Sequence, residues 1–357
     1  MTNYLLAGGG TAGHVNPLLA LADEIKRVDQ SSQVFALGTE EGLEAKLVPN
    51  RGYPLLVVPK LPMPRKINSY LFSFPKLFRL SVEKVKGYIR ENEIDVVVGF
   101  GGYASAPAYR AAKELGIPLV IHEANAKPGY ANKVGAKWAK AVAVTFSNTN
   151  LPDATLTGMP MLPEMVQAAK TDNRAIALKH FGLSPNLTTL LVTGGSLGAK
   201  RINDTIAAAR EPLRQNEIQV IHIVGERAEL SELHEDGYIR LPYCDRMDLA
   251  MAAADFAVSR AGASTVSELA VIGLPSVLIP YAVGNGEQES NARDLVQSGG
   301  AILVLDMDFD SDFVQNELLP ILKDKSRVTS MSAAAKKLGI TDGSARLLQL
   351  INATLKS

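Results

Sequence analysis

Short apolar runs, among them YLLAGG, VFALG, DVVVGFGG and IPLVIHEAN, alternate through the first half of the chain with helix-like segments such as NPLLALADEIKRV and APAYRAAKELG. Each run closes on glycine or a polar residue. Runs that are apolar at successive positions predict strands buried on both faces, and the helical segments between them predict parallel pairing. The second half repeats the rhythm: TLLVTGGSLGAKRINDTI supplies strand, glycine turn and helix, and IQVIHIVG, DFAVSRAGASTVSELAVIG, LPSVLIP and AILVL follow. The predicted class is α/β, two doubly wound Rossmann-like domains facing across a cleft. Their glycine turns would lie at the carboxyl ends of the strands, where ligands of such sheets collect.

A chain of 357 residues exceeds the usual single-domain size. The seam falls in TGMPMLPEMVQAAKTDNRAIALKHFGL, where Pro160 and Pro163 interrupt regular structure. The expected division is a first domain over 1–160, a second over 161–340, and a C-terminal helix over 341–357. That helix carries Leu347, Leu348, Ile351 and Leu355 at helical spacing with Asp342 or Ser344 as its cap, and is free to pack on either domain, the N-terminal one included.

Lysine plus arginine (37) equals aspartate plus glutamate (37), so net charge gives no argument for a nucleic-acid partner. Cys244 is the single cysteine; it excludes an internal disulfide and a cysteine metal set, in keeping with a reducing compartment. No window reaches the roughly 18 apolar residues of a membrane span, and a soluble protein is expected.

The glycine turns hold the candidate chemistry. Gly8, Gly10 and Gly13 in LLAGGGTAGHVNP fit the G-x-G-x-x-G spacing of a dinucleotide turn. That reading needs an acid after the second strand, and Glu40 or Glu41 stands a little late for it. A P-loop needs lysine where His14 stands. Glycines that only permit a tight turn would leave His14 unexplained. In the second half Gly194, Ser196 and Gly198 match the G-x-S-x-G elbow of serine hydrolases. The triad partners available are Asp204 with His222 or His234, but Asp204 falls within the helix that Ser196 opens. The same turn is also a phosphate cradle, which needs no triad. In SRAGASTVSELA, residues 262–265 open another helix, and Glu268 lies one turn inside on the face of Ser264 and Thr265. Such a tip suits a diphosphate, with the carboxylate accepting from ribose hydroxyls. Gln288 and Asn291 in GNGEQESNA offer amides suited to sugar hydroxyls.

Taken in order, GGGTAGHVNP, GFGGYASAPA, HEANAKPGYANK, TGGSLGAKRIN, SRAGASTVSELA and GNGEQESNA closely resemble the MurG family of N-acetylglucosaminyltransferases, from residue 8 to about residue 292. The resemblance implies a B-type glycosyltransferase fold and inverting transfer of GlcNAc from UDP-GlcNAc to the 4-hydroxyl of lipid-linked MurNAc-pentapeptide in peptidoglycan synthesis. It implies an acceptor site built from Thr11, Ala12, Gly13 and His14 with Gly101, Gly102 and Tyr103. For the donor it implies Ser196 at the UDP phosphates, the Cys244 backbone at uracil, Ala263, Ser264 and Thr265 capping the diphosphate, and Glu268 on the ribose. Asn125 and Gln288 are expected at the GlcNAc hydroxyls. One block departs: the family's G-N-P-V-R is Gly158, Met159, Pro160, Met161, Leu162 here, so an arginine expected near the donor is absent and Lys200, Arg201 and Arg260 are the substitutes at hand.

His14 is the candidate general base, because imidazole titrates near neutrality. No D-x-D pair stands in these loops, so neither a metal nor another cofactor is expected. His122 ends a buried strand and is expected to be structural. In PRKINSYLFSFPKLFRLSVEKVKGYI a helix would align Leu71, Phe74, Phe78, Val82 and Val85 on a core stripe and leave Phe72 and Leu80 among Lys76 and Arg79. That second face suits an anionic membrane surface, placing the protein peripherally on the cytoplasmic side of the cell membrane with cell-wall synthesis or division proteins as partners.

Overall fold

The computed structural model describes residues 1–64, 68–195, 198–281 and 286–356. The chain divides into two compact units, Met1–Leu162 with Asp342–Ser357, and Pro163–Thr341. In unit 1 the strands β1 (Asn3–Gly8), β2 (Gln33–Gly38), β3 (Leu55–Val57), β4 (Val96–Gly101), β5 (Leu119–Glu123), β6 (Ala141–Val144) and β7 (Ala154–Leu156) form one sheet in the order β3-β2-β1-β4-β5-β6-β7. Every pairing in it is parallel.

The period of two along these strands divides their apolar side chains between two cores. Tyr4, Leu6, Val96, Val98 and Phe100 point to one face, Leu5, Ala7 and Val97 to the other. Both faces are covered, which is why the runs do not alternate with polar residues. The first face packs α1 (Ala12–Val28) through Val15, Leu18, Leu21 and Ile25, and the C-terminal helix Gly343–Lys356 through Leu347, Leu348 and Ile351. The short α2 (Glu44–Asn50) follows β2. The second face packs α3 (Ser69–Glu91) and α4 (Ser105–Leu115), and α5 (Tyr130–Gly135) follows β5.

α3 runs through Pro75. Its Val82, Val85 and Ile89 are buried, while Leu71, expected on the same stripe, is 38% exposed. The core side of this helix begins at Phe78, which packs on the second cluster, so the turns before it have little to bury against. Phe72 and Leu80 are exposed, with Lys76 and Arg79 beside them.

Unit 2 carries β8 (Thr188–Thr193), β9 (Ile218–Ile223), β10 (Leu233–Glu235), β11 (Tyr238–Leu241), β12 (Phe256–Ser259), β13 (Ser276–Leu278) and β14 (Ala301–Leu303) in the order β10-β11-β9-β8-β12-β13-β14. The pairs are parallel except β10 with β11. Leu190, Val192, Phe256 and Val258 pack against Ile202 and Ile206 of the helix Lys200–Ala208. Each sheet has one place where neighbouring strands send their connections in opposite directions, between β1 and β4 in unit 1 and between β8 and β12 in unit 2. The loops leaving such a pair part from each other and open a crevice at the strand ends.

Candidate active-site loops

At the switch point of unit 1, β1 leads through Gly9, Gly10 and Thr11 into α1, and β4 leads through Gly102 and Tyr103 towards α4. Gly101 and Gly102 have φ of +90° and +84°, a region that favours glycine. A side chain on Gly102 would strike the Gly9 carbonyl, so the two loops approach backbone to backbone. Thr11 is the exposed residue ahead of α1, and Ala12 and Gly13 are the first of its helical residues. The Thr11 hydroxyl lies 3.3 Å from His14 Nδ1 and makes no capping bond to the helix, which leaves the positive end of α1 open to an anion.

His14 is half-buried. A Cβ on Gly101 would sit 3.2 Å from its Nε2, so glycine there keeps that nitrogen uncovered. Loss of water around the ring lowers its pKa below the ordinary 6.5, opposed by a hydrogen bond with the Gly9 backbone and by the charge of Glu44. The imidazole is therefore neutral near pH 7 and able to take a proton. Tyr103 is partly exposed, with the Lys60 ammonium 5.9 Å from its ring centre.

Glu44 was not singled out by sequence reasoning, which weighed Glu40 and Glu41 as the acid after β2. Glu41 pairs with Lys60 on the surface. Glu44 is fully buried and accepts from the Gly10 amide at 2.7 Å and from the Thr39 amide and hydroxyl, both at 2.8 Å. Glu44, the acid that reaches the glycine loop, is thus bonded to the protein itself and not held ready for a ribose diol. The usable signal was the cluster of Gly9, Gly38 and Gly42, whose missing side chains leave the volume that Glu44 fills.

Asn125 follows β5 and is half-buried. Buried Glu123 accepts from the Asn125 amide at 2.8 Å, the Gly129 amide at 2.9 Å and Asn132 Nδ2 at 2.8 Å, while Asn132 Oδ1 takes the Tyr109 hydroxyl at 2.7 Å. Burial raises the Glu123 pKa and these bonds pull it back. His122 is a core residue: Nε2 lies 3.1 Å from the Gly158 carbonyl, the ring lies against Phe100, and burial takes its pKa to about 4. Leu162, standing where the family pattern has arginine, packs on the core around α1.

In unit 2, Ser196 lies outside the described residues. Gly198 has φ +79°, and its bare Cα lies against the Val224 carbonyl. The other switch-point loop runs from β12 to the helix Ala263–Ile272. Gly262 caps that helix in an extended conformation, Ala263 is buried, and Ser264 and Thr265 are half-buried. The Ser264 Oγ is sealed from solvent and has no hydrogen-bond partner among the described residues. Glu268, one turn on, has no protein hydrogen bond among the described residues, and burial raises its pKa to about 7. An unpaired buried hydroxyl and a desolvated carboxylate each cost free energy that a bound phosphate and diol would offset.

Gln288 Oε1 accepts from the Tyr281 amide at 2.9 Å. Asn291 is buried and donates to the Ala261 carbonyl at 3.3 Å, bracing the loop ahead of the helix Ala263–Ile272. Cys244 is buried between β11 and the helix Met247–Ala253, and burial pushes its thiol pKa up. The cations offered in place of the missing arginine have acidic neighbours. Arg260 pairs with Asp306 at 2.6 Å and lies over Tyr281, Arg201 stands 3.5 Å from Asp306, and Lys200 bonds Asp204 at 2.7 Å.

The hydrolase alternative loses its partners. The ring nitrogens of His222 are taken by the Tyr238 hydroxyl at 2.7 Å and Asn203 Oδ1 at 3.1 Å, burial holds its pKa down at about 3, and Asp204 faces Lys200. His234 is exposed beside Glu232.

Comparison with known proteins gives a consistent result. Residues 4–144 match the glycosyltransferase family 28 N-terminal domain and residues 189–347 its C-terminal domain. A protein of Leifsonia xyli subsp. xyli, named "UDP-N-acetylglucosamine--N-acetylmuramyl-(pentapeptide) pyrophosphoryl-undecaprenol N-acetylglucosamine transferase", is 52% identical over 100% of both chains. A Streptomyces avermitilis protein of the same name is 45% identical over 98% of this chain and 97% of its own. The crystal structure of Acinetobacter baumannii MurG superposes with a TM-score of 0.77 at 26% identity, covering 99% of this chain and 100% of that one.

Proposed function

The chain belongs to glycosyltransferase family 28, and on that premise we propose that its glycine loops serve one reaction, transfer of GlcNAc from UDP-GlcNAc to the 4-hydroxyl of lipid-linked MurNAc-pentapeptide. It is a UDP-GlcNAc-dependent hexosyltransferase of peptidoglycan synthesis, acting on lipid I to give lipid II. The observation that carries this is the match at 52% identity over the full length of a transferase of that name.

Unit 1 takes the acceptor in this reading. The open end of α1 at Thr11, Ala12 and Gly13, with Gly101, Gly102 and Tyr103 opposite, meets the acceptor diphosphate with backbone amides and little steric bulk. His14 Nε2 removes the proton of the 4-hydroxyl as it attacks the anomeric carbon from the side opposite the leaving UDP, which inverts the configuration. Unit 2 takes the donor. The amides at Ala263, with the Ser264 and Thr265 hydroxyls, receive the diphosphate; Glu268 accepts from the ribose diol; and the Cys244 backbone reads the uracil edge. Ser196 and Gln288 in unit 2, and Asn125 in unit 1, complete the polar set, the two amides suiting sugar hydroxyls. The helix tip supplies positive potential to the departing diphosphate in this scheme, with no call on a bound cation.

No helix among the described residues is long and apolar enough to cross a membrane. Attachment to the cytoplasmic face of the cell membrane is supported by α3, which exposes Phe72 and Leu80 beside Lys76 and Arg79. Proteins of cell-wall synthesis or division are the partners this place implies.

The test is transfer of labelled GlcNAc to a lipid-diphosphate-MurNAc-pentapeptide, with UDP-GalNAc as the control donor. Transfer from UDP-GlcNAc alone is expected. Tight UDP binding without transfer would overturn the assignment of acceptor.

A further inference from the structure

Removing a carboxylate from water costs several kcal/mol unless hydrogen bonds replace the lost hydration. Glu44 is 0% exposed, and no lysine or arginine among the described residues pairs with it. Its compensation is three charge-assisted bonds, from the Gly10 amide and from the amide and hydroxyl of Thr39. These bonds join the loop after β1 to the turn after β2. Gly9, Gly38 and Gly42 surround the side chain so closely that a Cβ on any of them would overlap it. The restraint passes onward, because Gly102 lies close against the Gly9 carbonyl, the Gly9 backbone hydrogen-bonds with His14, and the His14 ring lies against Gly101.

We propose that Glu44 is a positioning residue for the acceptor reaction, its buried carboxylate fixing the glycine loop so that His14 and the Gly101–Gly102 turn are presented together. Its second effect is electrostatic. The negative charge of Glu44 acts on His14 and favours the imidazolium that forms when His14 takes the hydroxyl proton. The inference rests on the reading of His14 as the general base.

Gln at position 44 retains one acceptor oxygen but turns an NH2 group towards a donor on the other side, so one end of the tie must break. Glu44→Gln is expected to lower kcat/KM for the lipid-linked acceptor about 10- to 100-fold, the scale of a misplacement near 1 Å. Affinity for UDP, read by titration calorimetry, should stay at the wild-type value. The acidic limb of the kcat/KM profile should move to lower pH, because loss of the negative charge lowers the His14 pKa. A merely structural glutamate would not move that limb. The double variant His14→Ala, Glu44→Gln should lose less than the product of the two single losses, because part of the Glu44 effect runs through His14.

Wild-type kcat/KM and an unmoved limb in Glu44→Gln, beside an inactive His14→Ala, would overturn the Glu44 inference alone. Wild-type turnover in His14→Ala would instead remove the base reading. If Glu44→Gln fails to fold, Thr39→Val decides, since it deletes one donor and leaves the carboxylate charge in place. A lower acceptor kcat/KM with unchanged UDP affinity and an unmoved limb supports the tie, and wild-type kinetics refute it.

Discussion

Beside the glycine turn of unit 1, Glu44 accepts three hydrogen bonds from the protein and is sealed from water; beside the helix tip of unit 2, Glu268 accepts none from the described residues. Both units are doubly wound sheets with loops at a switch point, so the architecture does not distinguish them. The destination of the carboxylate's hydrogen bonds does. An acid satisfied internally stiffens its loop and leaves backbone and imidazole to meet the ligand. An acid left unsatisfied beside a bare hydroxyl, as Glu268 is beside Ser264, is prepared for a polar group from outside.

The largest expected effect separates the two sites outright. His14→Ala should lower turnover about 10²- to 10⁴-fold, the usual yield of a general base, with UDP-GlcNAc affinity untouched. An equal loss of donor binding would break the division between the units. Next, Gly102→Ala places a methyl against the Gly9 carbonyl at φ +84°, and acceptor kcat/KM should fall about 10- to 100-fold. Gly116→Ala is its control, with φ +70° but nothing within 4 Å of the added methyl; it should cost about 1 kcal/mol of stability and no activity.

The donor side is sharpened by pH. Glu268 has its pKa raised to about 7, and only the ionised form accepts from both ribose hydroxyls. Affinity for UDP-GlcNAc, whose diphosphate does not titrate in this range, should therefore be full above pH 7 and fall about tenfold from pH 8 to pH 6. Glu268→Gln should bind more weakly at pH 8, by about 10-fold, and show no such slope. A wild-type affinity independent of pH would place the ribose elsewhere. The smallest effect belongs to unit 1. Phe72→Ser with Leu80→Ser should weaken co-sedimentation with anionic vesicles about 3- to 10-fold while solution binding of UDP stays constant. Equal vesicle binding would sink the membrane face.

Much of the fold is legible in the sequence, for physical reasons. Strands covered on both faces must be apolar at consecutive positions, so Leu5, Leu6, Val97 and Val98 announce themselves, whereas Gly101 and Gly102 stand out in the sequence only through the family resemblance and show their left-handed φ in the fold. Glu44 stayed hidden because a buried carboxylate looks like any other glutamate in a string; its partners are Thr39 close by and Gly10 far back along the chain. Helical spacing puts Leu71 on a core stripe, but spacing describes one helix and not what faces it, and Leu71 is exposed. The same limit applies to Asn291, a polar residue that serves the Ala261 carbonyl, and to Arg260, whose charge meets Asp306 from a distant loop.

The C-terminal helix carries a consequence for how the protein is made. Leu347, Leu348 and Ile351 fill the core of unit 1 against α1, although they leave the ribosome after the whole of unit 2. Unit 2 lies in one uninterrupted stretch, Pro163–Thr341, and has all its residues in hand before the helix that completes unit 1 is made. The unit that is translated first is thus completed after the second, holding an apolar face of its sheet uncovered until the helix Gly343–Lys356 has been made. A ribosome stalled before residue 343 would display that face, and a truncation there would deprive the nascent chain of the segment that closes its own first domain.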